Sequence, residues 1–159
     1  QQMLQRVHTS DFDLSMIQEE LREADVLLGA FFCDYEVFKN IYRLHARTLL
    51  REGRFLYIAL VSIVSRDGGS LPARLLRDAM EAMKETLIIG LRKGDAVSVY
   101  SPSQFVLMMP LGDAEIGGQV LNRLKEIFFQ NYPGFGVDVV THLSLVEPVG
   151  TEGPAGTGR

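Results

Sequence analysis

The chain has 159 residues, of which 47% are hydrophobic and 23% charged, a composition typical of a soluble globular protein rather than of a disordered segment. Its net charge of −4 at pH 7 argues against a nucleic-acid-binding surface, which would need a basic face. The single cysteine, Cys33, excludes an internal disulfide and a cysteine-based zinc site. No apolar run approaches the roughly 20 residues that span a bilayer.

The first part of the chain is predicted to form a helix over residues 13–24, with Ser10 or Asp11 as its cap. The apolar residues at helical spacing are Leu14, Ile17 and Leu21. The start is polar and lacks a signal-peptide pattern. Because the sequence begins with Gln1 rather than Met, we interpret the chain as a piece of a longer protein. Residues 1–25 are then expected to be the end of a preceding helical domain or a linker.

A second helix is predicted to begin at Asp34 and to end before Gly53. The segment FLYIALVSIV (55–64) is almost continuously apolar, which indicates a strand that is covered on both faces. A third helix follows, with Ser70 as its candidate cap, and residues 93–95 end it. Its apolar stripe consists of Leu76, Met80, Met83, Leu87 and Leu91.

Residues 96–100 and 105–109 are predicted to form a hairpin with Ser101-Pro102-Ser103-Gln104 as its turn. Serine at the first position and proline at the second suit a type I turn. A fourth helix, with Asp113 as its candidate cap, and a strand over 134–145 complete the pattern. The residues expected on the inner face of this helix are Ile116, Val120, Leu124 and Ile127.

From residue 55 onward the predicted order is therefore β-α-β-β-α-β, which indicates an α+β fold with a ferredoxin-like core preceded by N-terminal helices. Both crossover helices should lie on one face of the sheet, and the helix that begins at Asp34 should cover the other face. We expect one domain over residues 26–146. The Gly/Pro-rich residues 147–159 are expected to be a flexible tail.

Four segments resemble the GGDEF domain, the family of bacterial diguanylate cyclases and their inactive descendants, which has the fold of the nucleotide cyclases. DYEVFKNIYRL is similar to the family's first helix, LYIALVSIVS to its first strand, LRKGDAVSVYSPSQFVLMMP to its signature hairpin and AEIGGQVLNRLKEIF to the next helix. The five signature positions are then occupied by Ser101, Pro102, Ser103, Gln104 and Phe105. Of these only Phe105 is retained, at the position that packs into the core.

The resemblance also implies which catalytic groups are missing. Active members condense two GTP molecules and hold Mg²⁺ with a signature carboxylate and an aspartate at the end of the first strand, because Mg²⁺ prefers hard oxygen ligands. The matching strand positions here are Val64, Ser65 and Arg66. The family's nucleotide-recognising Asn-Asp pair has no counterpart in RDGGSLP. We therefore expect no cyclase activity, no metal site and no cofactor.

One family feature is retained, an Arg-x-x-Asp motif made by Arg92 and Asp95. Many GGDEF cyclases carry their product-inhibition site there, where the two side chains bind cyclic di-GMP, and the planar guanidinium suits phosphate and guanine edges. Both residues also have a structural interpretation, Asp95 at the opening of a strand and Arg92 at a helix C-terminus.

Other candidate residues point to no further chemistry. The three histidines, His8, His45 and His142, fall on separate elements without a carboxylate or thiol at ligand spacing, which argues against a metal site or a nucleophilic triad. Asp67 lies beside two glycines and is typical of a solvated turn. Cys33 follows two phenylalanines and is expected to be a packed thiol.

Three functions remain open. The first is a non-catalytic GGDEF-like regulatory or interaction module, which contacts other domains of its parent or a second copy; the resemblance extends to multidomain bacterial transcriptional regulators and implies a cytoplasmic protein. The second is a receptor that binds cyclic di-GMP or another nucleotide through Arg92 and Asp95. The third is a residual nucleotide-processing enzyme. An RNA-binding sheet that uses Tyr100 and Phe105 is disfavoured by the acidic charge and by the helix expected over that face.

Overall fold

A computed structural model of the chain describes residues 2–22, 29–52 and 55–146. Within these ranges it contains four helices and five strands. In chain order they are α1 (Gln2–Leu21), β1 (Phe31–Phe32), α2 (Tyr35–Glu52), β2 (Phe55–Ser65), α3 (Ala73–Gly90), β3 (Ala96–Ser101), β4 (Gln104–Leu111), α4 (Ala114–Asn131) and β5 (Val137–Leu145).

The strands form one sheet in the order β1-β3-β4-β2-β5. β2 is antiparallel to both β4 and β5, and β4 is antiparallel to β3, so β2 to β5 make the ferredoxin-like arrangement that the sequence predicts. β1 adds a short parallel edge to β3, with Phe31 opposite Ala96 and Phe32 opposite Val97. This strand was not predicted from the sequence, because two residues give no periodicity.

The two faces of the sheet are covered by different helices. One face packs against α3 and α4, and this contact includes Ala59, Val61, Met83, Leu87, Leu124 and Phe128. The other packs against α2, and that contact includes Phe38, Leu49, Leu56, Val106 and Met108. The predicted placement of the crossover helices on one face and of the preceding helix on the other is confirmed. α2 covers only part of its face, since Asp138, Val140, His142 and Ser144 on β5 stay exposed.

The predicted N-termini of two helices are wrong. α1 begins at Gln2, so Ser10 and Asp11 lie in its interior and do not cap it. α3 begins at Ala73 after Pro72, with no side-chain cap, and not at Ser70. Proline suits this boundary because its ring fixes φ and it has no N–H to satisfy.

Two predicted helix starts are confirmed by their hydrogen bonds. Asp34 Oδ1 accepts from the Val37 N–H at 2.9 Å at the start of α2. Asp113 Oδ1 accepts from the Ile116 N–H, also at 2.9 Å, at the start of α4. Ile116 itself was expected on the inner face of α4, but its side chain is 37% exposed, and Gly117 takes the buried position in the first turn.

The last strand starts later than predicted, at Val137 rather than at residue 134, because the preceding residues form a turn that ends at Gly136 with a φ of 69°. The predicted stop at Gly53, the domain boundary after residue 25 and the tail at 147–159 lie outside the described residues. None of the helices in the described ranges is long and apolar enough to cross a membrane.

Candidate functional site

The turn between β3 and β4 carries the residues that the resemblance aligns with the GGDEF signature. Ser101 pairs with Gln104, and the register shifts between Val99 and Ser101. No described residue other than glycine has a positive φ, which excludes type II, I′ and II′ turns and agrees with the predicted type I. In a two-residue hairpin, a type I turn splays the two strands, because its twist does not match theirs. The register shift between Val99 and Ser101 accommodates this mismatch.

Side-chain hydrogen bonds fix this turn to the neighbouring strand. Ser101 Oγ donates to Gln104 Oε1 at 2.9 Å, and the Ser103 N–H donates to Ser101 Oγ at 3.3 Å. Gln104 Nε2 donates to Ser62 Oγ on β2 at 3.0 Å. The amide of Gln104 therefore acts as donor and acceptor at once, which an ionised carboxylate cannot do. Phe105, the next residue, is 1% exposed and lies in the core, as expected.

The turn forms one wall of a cleft at the end of β2. The Ile63 N–H donates to the Ser103 carbonyl oxygen at 2.9 Å, which fixes Ser103 beside the last residues of that strand. A depression of about 340 Å³ opens here. Its lining consists of Ile63, Val64, Ser65, Gly68, Gly69, Leu71, Leu76 and Ser103. The structure therefore brings together three of the positions that the resemblance singles out, Val64, Ser65 and Ser103.

Arg66 and Asp67, the next two residues, are engaged in the loop itself. Arg66 Nε donates to the Val137 carbonyl oxygen at 3.2 Å. Asp67 Oδ1 accepts from the Ser65 hydroxyl and, at 2.9 Å, from the Gly69 N–H. The hydrogen bond from Ser65, and to a smaller extent the one from Gly69, hold the pKa of Asp67 below its ordinary value. The hydrogen bonds of Asp67 and its lowered pKa agree with the solvated turn that the sequence predicts.

The cleft does not fit the magnesium ion that an active GGDEF fold implies. Its lining offers serine hydroxyls, backbone groups and aliphatic side chains, but no carboxylate. In the part of the chain that the structure describes, no three His, Cys, Asp or Glu side chains are placed to hold a metal ion together.

Arg92 and Asp95 lie in the turn that leads into β3. Asp95 is 5% exposed, and its carboxylate accepts from the Arg92 N–H at 2.8 Å. Burial raises the pKa of Asp95, and the hydrogen bond and the charge of Arg92 oppose that rise. Arg92 is exposed. The two residues are neighbours, as the motif requires, but the aspartate faces into the protein.

Asp95 also takes part in anchoring the segment before α2. Its carbonyl oxygen accepts from the Phe31 N–H at 2.9 Å, and the Ile88 carbonyl accepts from the Ala30 N–H at 2.9 Å. A Cβ on Gly29 would lie 1.8 Å from that Ile88 oxygen, so only glycine fits there. Sequence reasoning missed Gly29 and the role of Ser62, since their partners are distant in the chain and no local pattern marks them.

Neither a family model nor a curated protein matches this sequence. Among solved structures it is similar to a DGC protein from Thermotoga maritima, with a TM-score of 0.60, 15% identity and coverage of 76% of this chain and 85% of that one. The coiled coil and GGDEF domain of DgcB from Caulobacter crescentus, in complex with c-di-GMP, gives a TM-score of 0.54, 12% identity and coverage of 93% and 85%.

A third similar structure is the diguanylate cyclase SiaD from Pseudomonas aeruginosa, in complex with its activator SiaC. Its TM-score is 0.56 and its identity 18%; the match covers 98% of this chain but only 62% of SiaD, less than two thirds. At such identities the likeness establishes the architecture rather than the chemistry. The mixed five-stranded sheet with its helices on both faces thus gives this chain the α+β fold of a GGDEF domain.

Proposed function

We propose that this chain is a non-catalytic GGDEF-like module that regulates or binds other parts of a larger bacterial signalling or transcriptional regulator in the cytoplasm. The observation that carries the proposal is the lining of the cleft, which includes Val64 and Ser103 but no carboxylate. The resemblance aligns these two residues with positions from which carboxylates hold a metal ion in active members. Any DNA binding would then belong to another part of the regulator.

A nucleoside triphosphate needs cations to compensate its phosphates, either metal ions or basic side chains. The lining of this cleft contains no lysine or arginine and no carboxylate that could recruit a metal ion. Four of its side chains are aliphatic, from Ile63, Val64, Leu71 and Leu76, and they would desolvate the phosphates without compensation.

The test is an incubation of the chain with GTP or ATP and with Mg²⁺ or Mn²⁺, followed by chromatography of the nucleotides. We expect no cyclic dinucleotide and no other product above a protein-free blank. The matched control is Ser103→Tyr, which places a large side chain in the lining of the cleft. Ser103 is half-buried and lies in the turn between β3 and β4. A product that forms with the natural chain and disappears with this variant would refute the proposal and establish the residual enzyme instead.

The receptor alternative has weaker support. Arg92 is exposed and available, but the carboxylate of Asp95 is buried and already accepts a backbone hydrogen bond. We expect titration calorimetry with cyclic di-GMP, at concentrations up to about 500 µM, to give no binding heat. This range is sufficient because a dissociation constant above about 500 µM is outside the usual range of a specific site. Heat that is abolished by Arg92→Ala would establish the receptor function.

A further inference from the structure

Strand β5 forms one edge of the sheet, and within the described residues no strand pairs with its outer side. The opposite edge, β1, is two residues long, whereas β5 has nine residues and pairs with β2 in an unbroken register. The sequence of β5, VDVVTHLSL, contains no proline or lysine, the residues that commonly protect an edge strand. A long, regular and unprotected edge can hydrogen-bond to another strand.

The register determines which backbone groups face outward. Val146 follows β5, and its N–H donates to the Leu56 carbonyl oxygen at 2.9 Å. Because the pairs of an antiparallel ladder alternate, the even-numbered residues of β5 bond to β2, and the odd-numbered ones direct their N–H and C=O groups to the free edge. The Val139 N–H agrees with this assignment, since it donates to the Asp138 carboxylate at 2.9 Å. Thr141, in the middle of the strand, therefore presents both of its backbone groups to a neighbouring strand.

The side chains along this edge favour a second copy of the same strand. Asp138, Val140 and His142 are exposed and lie on one face of β5. When two β5 strands run antiparallel about a two-fold axis at Val140, Asp138 of each copy lies directly opposite His142 of the other, and the two Val140 side chains meet. This register also sets odd-numbered residues opposite each other, as the outward hydrogen bonds require. Moving the axis by one residue in either direction separates the carboxylate from the imidazole.

The space beside the edge is open on both faces of the sheet. On one face, a depression of about 530 Å³ lies between α4 and the start of β5, where Asp138 and Val139 line it. On the other face, α2 does not cover β5, whose even-numbered side chains stay exposed. The start of the strand is therefore accessible to the strand of another molecule.

We propose that β5 pairs with β5 of a second copy of this chain, antiparallel and centred on Val140, so that the two sheets join into one. In the pair, the Asp138 carboxylate exchanges its bond to the Val139 N–H for the imidazole of His142 of the second copy. That N–H then donates to the Thr141 carbonyl oxygen of the second copy. Because both copies use the same edge, the pair is closed and does not grow into a filament.

The inference rests on the proposed function in one respect, since it names a second copy as a partner of the interaction module. It does not depend on the state of the cleft, and its test uses no nucleotide. Failure of the strand pairing and failure of the non-catalytic assignment are therefore separate results.

Two variants alter the proposed contact between Asp138 and His142 without touching the core. His142→Asp sets two acidic side chains opposite each other on both sides of the axis, where they repel. The double variant Asp138→His with His142→Asp restores the opposite charges and keeps the composition of the natural chain. Circular dichroism should show the same folded domain for both variants and the natural chain, since both positions are exposed.

The first measurement is sedimentation velocity of the full chain and the two variants at pH 6, below the ordinary histidine pKa of about 6.5. We expect the natural chain to form dimers within about 10–500 µM. The dissociation constant of His142→Asp should be about 10-fold higher or more, because the pair contains this contact twice. The double variant should return to within about 3-fold of the natural value.

The second measurement locates the contact through amide hydrogen exchange followed by NMR, at concentrations above and below the measured dissociation constant. The Thr141 and Leu143 amides face the edge, and we expect them to exchange about 3-fold more slowly or less rapidly still at the higher concentration. The Val140 and His142 amides bond to β2 in either state and are the internal control, with no dependence on concentration.

The inference is wrong if the natural chain stays monomeric across this range, or if the double variant remains as weak as His142→Asp. It is also wrong if the natural chain dimerises while its Thr141 and Leu143 amides exchange at the same rate at both concentrations. That last result would place the self-association on another surface of the molecule.

Discussion

Gln104 connects the turn between β3 and β4 to the neighbouring strand β2 through its side-chain amide. Its amide joins Ser101 to Ser62 across three strands, while Phe105 keeps its place in the core. The turn was predicted from its proline and the apolar strands around it, which are local signals, and the burial of Phe105 was implied by the resemblance. The sequence did not predict the contact with Ser62, which lies 42 positions away.

Two substitutions of Asp95 test the hydrogen bond that its carboxylate accepts from the Arg92 N–H. Removing its carboxylate leaves the Arg92 N–H without its partner, so Asp95→Ala should lower the free energy of unfolding by about 1–3 kcal/mol. Asp95→Asn keeps an acceptor oxygen at the same place and should cost less than about 1 kcal/mol. Urea denaturation at pH 7 measures both, and equal losses would contradict the assigned hydrogen bond.

The pH dependence of these variants follows from the raised pKa of Asp95. The folded chain holds this proton more tightly than the unfolded chain does. The stabilising contribution is therefore complete below the ordinary pKa and declines as the pH rises through the folded value. Asparagine has no proton to lose, so Asp95→Asn should gain stability relative to the natural chain as the pH rises from the ordinary aspartate pKa of about 4 through the raised pKa of Asp95. A constant difference across that range would show that the carboxyl is not desolvated.

At the scale of single elements, α4 carries two adjacent glycines in different surroundings. A Cβ on Gly117 would lie 2.6 Å from Leu143 Cδ2 and 3.0 Å from Leu111 Cδ1, whereas a Cβ on Gly118 would have no atom within 4 Å. Gly118→Ala should therefore raise the free energy of unfolding by about 0.5–1 kcal/mol through helix propensity alone.

Gly117→Ala receives the same propensity gain but has to displace two leucine side chains, so we expect a net loss of about 0.5–2 kcal/mol. Thermal unfolding of the two variants side by side compares them, and each serves as the other's control. Stabilisation by both would mean that the contact between α4 and the sheet is looser than these distances imply.

Elements with strong periodicity were predictable and their ends were less so. The apolar stripe of α3 and the almost continuous apolar run of β2 predicted these two elements, and both form in these parts of the chain, although α3 begins at Ala73 rather than after Ser70. The start of α1 was misplaced because Ser10 is a good cap in isolation, while the surrounding polar residues continue the helix. The cleft could be located in the sequence only through the resemblance, since Val64 and Ser103 carry no chemical signal of their own.

For the whole molecule, the order of elements was enough to predict the sheet, because few topologies accommodate β-α-β-β-α-β. It was not enough to predict how the N-terminal segment meets the domain. That junction depends on the contact between Gly29 and the Ile88 carbonyl, a fit between residues almost 60 positions apart.

A methyl group added at Gly29 should therefore lower the free energy of unfolding of the domain. Gly29→Ala forces the backbone away from Ile88 and should cost more than about 2 kcal/mol, with loss of the adjoining β1 pairing. Gly94→Ala, whose Cβ would meet no atom within 4 Å, is the control and should change stability by less than about 0.5 kcal/mol. Hydrogen exchange at the Phe31 and Cys33 amides reports the β1 pairing, and full protection of these amides in Gly29→Ala would contradict the expected opening.

The antiparallel register of β2 and β5 determines how the domain would be attached to neighbouring sequence. The backbone reaches the sheet at Ala30, beside the start of β3, and leaves it at Val146, whose N–H bonds to Leu56 at the start of β2. Both points lie at the end of the sheet remote from the turn at Ser101–Gln104. The points at which the described backbone enters and leaves the sheet thus lie on one side of the domain, and the cleft beside Ser103 lies on the opposite side, away from both of them.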